Sequence, residues 1–379
     1  MLEYITSGES HGQAIITVMS GFPAGIHIKE GIINSELKRR RECAGRGPRM
    51  SLENDRIEIL SGLKNGKTLG TPIAIQVRNK KNIIDLLPPI TKVRPGHIDL
   101  AAAMKFLTPD GRIGAERASA RETVGRVIAG SVAKILLDYF DIKVIGYVTQ
   151  ISSISAAPTS AGLNPKAYFY TADKNVIPKW KRLLNEAERK GNTLGGCFEV
   201  IGSNIPVGLG DHTHWESRLD ARLSQAIMAI PAVKGVEIGL GFGYASRPGS
   251  QVMDLFATQN NRPILNKYGG WKRMSNYAGG IEGGLTNGEN IIVRAAVKPI
   301  PTLRNPLLTI DLKTKRPTKA QVESSDICAV PAAAVVGEAV AAFEIARAFV
   351  SRFSGATVLE IAQHFQSYRK ELKKKFGLH

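Results

Sequence analysis

Apolar residues recur along this chain with two different periods. Runs at residues 13–19 (QAIITVM), 56–60, 73–77, 143–150, 197–202, 236–240 and 290–297 are short, rich in Val and Ile, and bounded by turn residues, as strands are. Segments 35–41, 120–140, 180–190, 216–230 and 331–353 carry helical spacing with start and stop signals. These two kinds of element come in uneven groups, not in a regular strand–helix alternation. That ordering points to an α+β fold and away from a doubly wound parallel sheet. No linker or internal repeat divides the sequence, so we expect a single domain over residues 1–379. The most apolar stretch, 329–353, contains Glu338, Glu344 and Arg347 and reads as a buried helix, not a membrane span.

Glycine- and proline-rich loops occupy 43–50, 86–97, 241–250 and 276–290, and loops of that length in a compact protein are commonly functional. Residues 259–277 have no pattern that places them.

Charge changes the picture more than composition does. Hydrophobic and charged contents of 43% and 22% are ordinary, but 51 Lys and Arg against 33 Asp and Glu leave +18. Such a field attracts anions: nucleic acid, an acidic membrane, or small polyanionic substrates and cofactors. Aromatic content of 6% offers few stacking platforms and argues against single-stranded nucleic acid. Cys43, Cys197 and Cys328 form no CxxC pair, and Glu3 stands where a signal peptide would be apolar; both features favour a reduced, cytoplasmic location.

Candidate chemistry gathers in five places. Residues 8–12 (GESHG) set Ser10 and His11, a side chain able to exchange a proton near neutrality, between two glycines. A second histidine, His97, sits in the rigid turn VRPGH, so the two form a candidate acid–base pair. Arg39, Arg40 and Arg41 end a helix, with Arg46 and Arg49 in the glycine-interrupted loop beyond; guanidinium forks of this kind suit phosphates and carboxylates. In RASARET, Ser119 and Glu122 have capping-box spacing, and Arg117 and Arg121 flank a helix N-terminus that could seat an anion. Further on, NYAGGIEGGLTNG and the rigid KPIPT segment supply close-approach glycines and Lys298, and Asp326 precedes the last apolar helix.

Three lookalikes fail. GLKNGKT has one residue too few between its glycines for a P-loop. Gly239, Gly241 and Gly243 lack the third glycine of a dinucleotide fingerprint, where Tyr244 stands. Asp211-His212-Thr213-His214 lacks a further ligand at metal spacing, and no metal site is expected.

Taken in order, GESHG, the RRR…GRG…R loop, RPGHID, RASARET, SQAIMAIPAVKGVEIG, GGIEGGLTNG, KPIPT and SDICAVPAA closely resemble the chorismate synthase family, from Gly8 to the helix after Asp326. The resemblance implies a β-α-β sandwich, a helical layer between antiparallel sheets, assembled as a homotetramer. It implies a lyase that converts 5-enolpyruvylshikimate 3-phosphate to chorismate and phosphate by 1,4-elimination, with reduced FMN required and NADPH as a candidate reductant. Neither nucleic acid nor a membrane would be a partner.

By the same likeness, His11 protonates the departing phosphate with help from Ser10, His97 lies at the pyrimidine side of the flavin, and Asp326 assists proton transfer near its N5. Arg40, Arg46, Arg49 and Arg121 match substrate-binding positions, and Arg40 and Arg46 are also associated with NADPH. Arg117, Ala118 and Ser119, Pro231 and Ala232, Gly283, and Lys298, Pro299, Ile300, Pro301 and Thr302 match flavin contacts; Ser119 also falls in the catalytic group. Ser324 stands where many members carry a flavin- or substrate-contacting arginine. Ala44, Ala118 and Pro231 replace an aromatic, a serine and an asparagine common in the family.

Overall fold

The computed structural model describes residues 1–47, 54–157, 168–260, 262–266, 269–323 and 326–376. Its helices are α1 (Glu30–Arg41), α2 (Asp99–Lys105), α3 (Arg112–Ala115), α4 (Thr123–Tyr139), α5 (Ile177–Arg189), α6 (Leu219–Met228), α7 (Val330–Arg352) and α8 (Val358–Phe376). One antiparallel sheet runs Glu3–Ser7, Ala14–Ser20, Ile73–Arg78, Ile57–Ser61 in spatial order. A second, also antiparallel, runs Val233–Ile238, Ile291–Val297, Gly196–Ser203, Lys143–Ile151, Ile154–Ser155.

The helices separate the sheets. Strand Ala14–Ser20 turns Ile15, Thr17 and Met19 inward, the alternation of a half-buried strand. That face meets α4, whose Gly125 carbonyl accepts from the Thr17 hydroxyl at 3.2 Å, so the one inward polar side chain is satisfied. On the far side, α7 lies on strands Lys143–Ile151 and Gly196–Ser203, and α6 lies on Val233–Ile238. This is the expected β-α-β sandwich.

Close packing inside the layer depends on small residues. A Cβ on Gly130 of α4 would lie 2.3 Å from the Ala339 carbonyl oxygen of α7, and one on Gly337 would lie 2.4 Å from the Phe198 ring. With neighbours on every side, α7 is apolar almost all round. Its buried Glu338 accepts from Arg39 at 2.8 and 3.1 Å, from Gly146 N at 2.8 Å, and from Lys134, which ties α1, α4 and the second sheet to α7.

Differences from the sequence reading have local causes. The helix expected at 120–140 opens with a 3₁₀ turn, Ala120–Glu122. Its capping box is half made: Ser119 Oγ accepts from Arg121 N at 3.3 Å, but Glu122 turns to Thr6 and Arg126 at 3.0 Å. The helix expected at 216–230 spans Leu219–Met228, and α1 begins a turn earlier than residue 35. Helix α8 escaped notice because Val358, Ile361 and Phe365 are its only buried side chains among many charges. The unplaced 259–277 region holds the short pair Thr258–Gln259 and Arg262–Pro263 with bridges Leu265–Trp271 and Phe256–Arg273. GLKNGKT is a tight hairpin, with Asn65 and Gly66 both at positive φ as an Asn-Gly turn requires.

Candidate active site

Where α1, α4 and α7 converge with the loops at their ends, a cavity of about 660 Å³ opens. Its walls come from distant parts of the chain: the 10–11 turn, Arg40 and Arg46, the 94–98 turn, residues 115–123, Ala229–Ala232, the 298–302 segment and the approach to α7. Ser10, His11, His97, Ser119, Arg121, Arg117, Ala118, Pro231, Ala232, Lys298, Ile300, Pro301, Thr302 and Asp326 therefore line one space. Neither Pro299 nor Gly283, which sits at the turn of the hairpin Ile281–Glu282 and Leu285–Thr286, lines it. Arg49 and Ser324 lie outside the described residues.

The His11 turn is built on Gly8, at φ +110, where a Cβ would fall 2.0 Å from the Ala14 carbonyl oxygen. Arg117 closes the turn by donating to the carbonyls of Gly8 and Thr6 at 2.9 and 2.7 Å and to the Thr6 hydroxyl at 2.8 Å. Glu116 accepts from the His11 backbone N–H at 3.0 Å and lies 3.0–3.1 Å from His11 Nδ1. Its carboxyl is held below the ordinary value: burial opposes this, but hydrogen bonds and charge from His11 and the bond from Arg112 prevail.

His97 is anchored by a parallel device. Asp99, fully buried, takes a bidentate pair from Arg94 Nε and Nη2, both at 2.8 Å, and lies 2.5 Å from His97 Nδ1. Arg94 Nη2 also lies 3.0 Å from that nitrogen; the closer carboxylate dictates that Nδ1 carries the proton. Burial would raise the Asp99 carboxyl, yet bonds from Arg94 and His97 hold it far below the usual range. Arg94 Nη1 reaches Thr302 Oγ1 at 3.0 Å and Lys298 Nζ donates to Gly96 O at 2.5 Å, which clasps this turn to the 298–302 segment.

Three of the arginines share two carboxylates. Asp55, with no exposed side-chain surface, accepts from Arg40 Nη2 at 3.1 Å and also from Arg121, whose Nε donates to Asn79 at 2.8 Å. Burial, and then the like charges of Arg46 and Arg121, draw Arg40 down to about 10 against the pull of Asp55; it remains a cation at neutral pH. Asp326 accepts from Arg46 and from Gly47 N at 2.8 Å. The buried Nε atoms of Arg40 and Arg46 have no hydrogen-bond partner among the described residues. Unspent cationic donors beside a cavity fit an anionic occupant, as flavin phosphate or a phosphorylated acid would be.

Asp55, Arg94, Asp99, Arg112 and Glu116 were not singled out from sequence. Arg94 and Asp99 lie inside the quoted RPGHID, where neither was given a role, and Glu116 immediately precedes RASARET, whereas Asp55 in ENDR carries no signal at all. The 211–214 loop is held by Asp211 accepting from Thr213 N and Oγ1, both at 2.8 Å, and no cluster able to hold a metal occurs among the described residues.

A family model described as chorismate synthase matches residues 2–350. The chain belongs to the chorismate synthase family. It is an enzyme of that family, a lyase. A protein named chorismate synthase from Geotalea daltonii is 46% identical, over 98% of this chain and 100% of its own length. One from Moorella thermoacetica is 43% identical over 98% and 100%. A solved structure titled as the crystal structure of chorismate synthase superposes with a TM-score of 0.78 at 35% identity, covering 98% of each chain. The family match ends inside α7, so α8 lies beyond it. Among the described residues, no helix is long and apolar enough to cross a membrane.

Proposed function

We propose that this chain converts 5-enolpyruvylshikimate 3-phosphate to chorismate and inorganic phosphate. In this 1,4-elimination the C3–O bond to phosphate and the C6–H bond break, and a second ring double bond forms. The observation that carries the reading is one cavity holding two carboxylate-anchored histidines beside Arg40, Arg46 and Arg121. The three arginines hold the substrate's carboxylates and phosphate and orient the ring. His11 Nε2, the ring nitrogen that Glu116 leaves open, delivers a proton to the departing phosphate.

Reduced FMN, when bound, supplies electron density to the allylic system and regains it, with no net redox change. Arg117, Ala118 and Ser119, Pro231 and Ala232, and residues 298–302 would hold it, and His97 would face its pyrimidine side. Asp326 receives or relays the C6 proton once its hold on Arg46 is exchanged for substrate. NADPH as reductant, assembly as a homotetramer and a cytoplasmic location rest on the family likeness. The single-domain reading is supported by one buried core that runs from Leu2 to Phe365 through both sheets.

An anaerobic assay with 5-enolpyruvylshikimate 3-phosphate and reduced FMN, following chorismate absorbance and phosphate release, tests the reading. Equal product without flavin, or none with it, overturns it. His11→Ala should lower turnover by roughly 10²-fold or more while flavin binding is kept.

A further inference from the structure

The Glu116 carboxylate has three polar neighbours within hydrogen-bond distance. Oε2 lies 3.0 Å from both the backbone N–H and the Nδ1 of His11. Oε1 lies 3.1 Å from the same Nδ1 and accepts from Arg112 Nη1 at 3.3 Å. Arg112 is fixed in turn by Pro88 O at 2.6 Å and Glu323 at 2.9 Å, and the backbone of Glu116 accepts from Ser10 N at 3.1 Å. His11 and Glu116 are 14% and 6% exposed, so water does not compete on equal terms for these bonds.

We propose that Glu116 is the positioning residue for His11: it holds the neutral imidazole as the Nδ1–H tautomer and leaves Nε2 as the proton-exchanging atom. The proposal rests on the reading of His11 as the acid that meets the leaving phosphate. Proton balance then closes on one ring. The imidazolium carries protons on both nitrogens, the Nε2 proton passes to the phosphate oxygen as the C3–O bond breaks, and the proton that stays is the one Glu116 accepts. Without the carboxylate, the neutral ring can keep its proton on Nε2 and turn an empty Nδ1 away from the cavity.

A carboxylate is required, not merely a polar side chain of that length. Glutamine at 116 would carry an NH₂ on one side. Turned one way it faces the His11 N–H; turned the other, it faces the Arg112 guanidinium. No orientation reproduces the three acceptances.

The test uses the whole protein with ring-¹⁵N histidine, His11 being assigned by the signal missing from His11→Ala. In the native protein with a neutral His11 ring, the expected signature is protonated Nδ1 and bare Nε2; Glu116→Gln should shift it to the other tautomer or a mixture. In the elimination assay the same variant should lose kcat by roughly 10²-fold, the low end of what a positioned acid contributes, with KM changed less than about threefold. Glu116→Asp, which keeps the charge but retracts it by one methylene, should recover part of kcat and most of the Nδ1–H signature. If Glu116→Gln does not fold, Glu116→Asp against the native protein carries the comparison. An Nε2–H tautomer in the native protein, or an unchanged tautomer and kcat in Glu116→Gln, overturns the proposal. Should the native protein itself fail to turn over, the functional reading falls, and the tautomer signature still decides the role of Glu116.

Discussion

Arg40 and Asp55 face each other across 3.1 Å with 2% and 0% of their side chains exposed, at the base of the candidate active site. Asp55 also takes Arg121, so one carboxylate holds together two cations that would otherwise repel. Asp55→Asn leaves that repulsion uncompensated. Loss of one partner from a buried pair costs about 3–5 kcal/mol, and thermal unfolding should register it. A bound anion can replace the missing charge, so inorganic phosphate should raise the melting temperature of Asp55→Asn more than that of the native protein. Equal phosphate shifts in the two proteins would argue that these arginines do not address the cavity.

Glu338 makes stability depend on pH. Burial alone would raise its carboxyl, but Lys134 and Arg39 draw it from 4.5 down to about 2. A depressed carboxylate contributes stability that is fully present above the unfolded value and is lost as pH falls toward the folded one. The window is therefore 4.5 to about 2. Glu338→Gln should be less stable at neutral pH by about 3–5 kcal/mol, and its urea midpoint should fall less steeply across that window than the native midpoint does. Asp55, Asp99 and Glu116 are depressed too, so a shallower slope, not a flat one, is expected.

Two glycines in helices should respond with opposite sign to the same substitution. Gly130→Ala drives a methyl group into the backbone of α7 and should destabilise by about 3 kcal/mol. Gly31→Ala, near the start of α1 with nothing within 4 Å of the new Cβ, should stabilise by about 0.4–1 kcal/mol through the unfolded chain. Calorimetry on both variants checks the pair; matching signs would contradict the packing described for α4 and α7.

The strands at 73–77, 143–150 and 197–202 and the helix at 331–353 were legible along the chain because burial imposes a period on neighbouring residues, and period is a local property. The same holds for His11, His97 and the arginine loop: each carries its own glycines and charges, and together their order resembles one family. Helix α8 and the edge strand Glu3–Ser7 were not legible, since each buries too little of itself to leave a pattern.

Tertiary structure alone decided which carboxylate serves which cation. Asp55 finds Arg121 from 66 residues away and Glu116 finds His11 from 105, distances over which sequence carries no periodic signal. An ion pair depends on where two chain segments meet, and that meeting is set by the packing of α1 and α4 against the first sheet and by the backbone bond from Ser10 to Glu116. The histidines proposed to exchange protons could thus be read from the chain itself. The partners that fix where their protons reside had to await the fold.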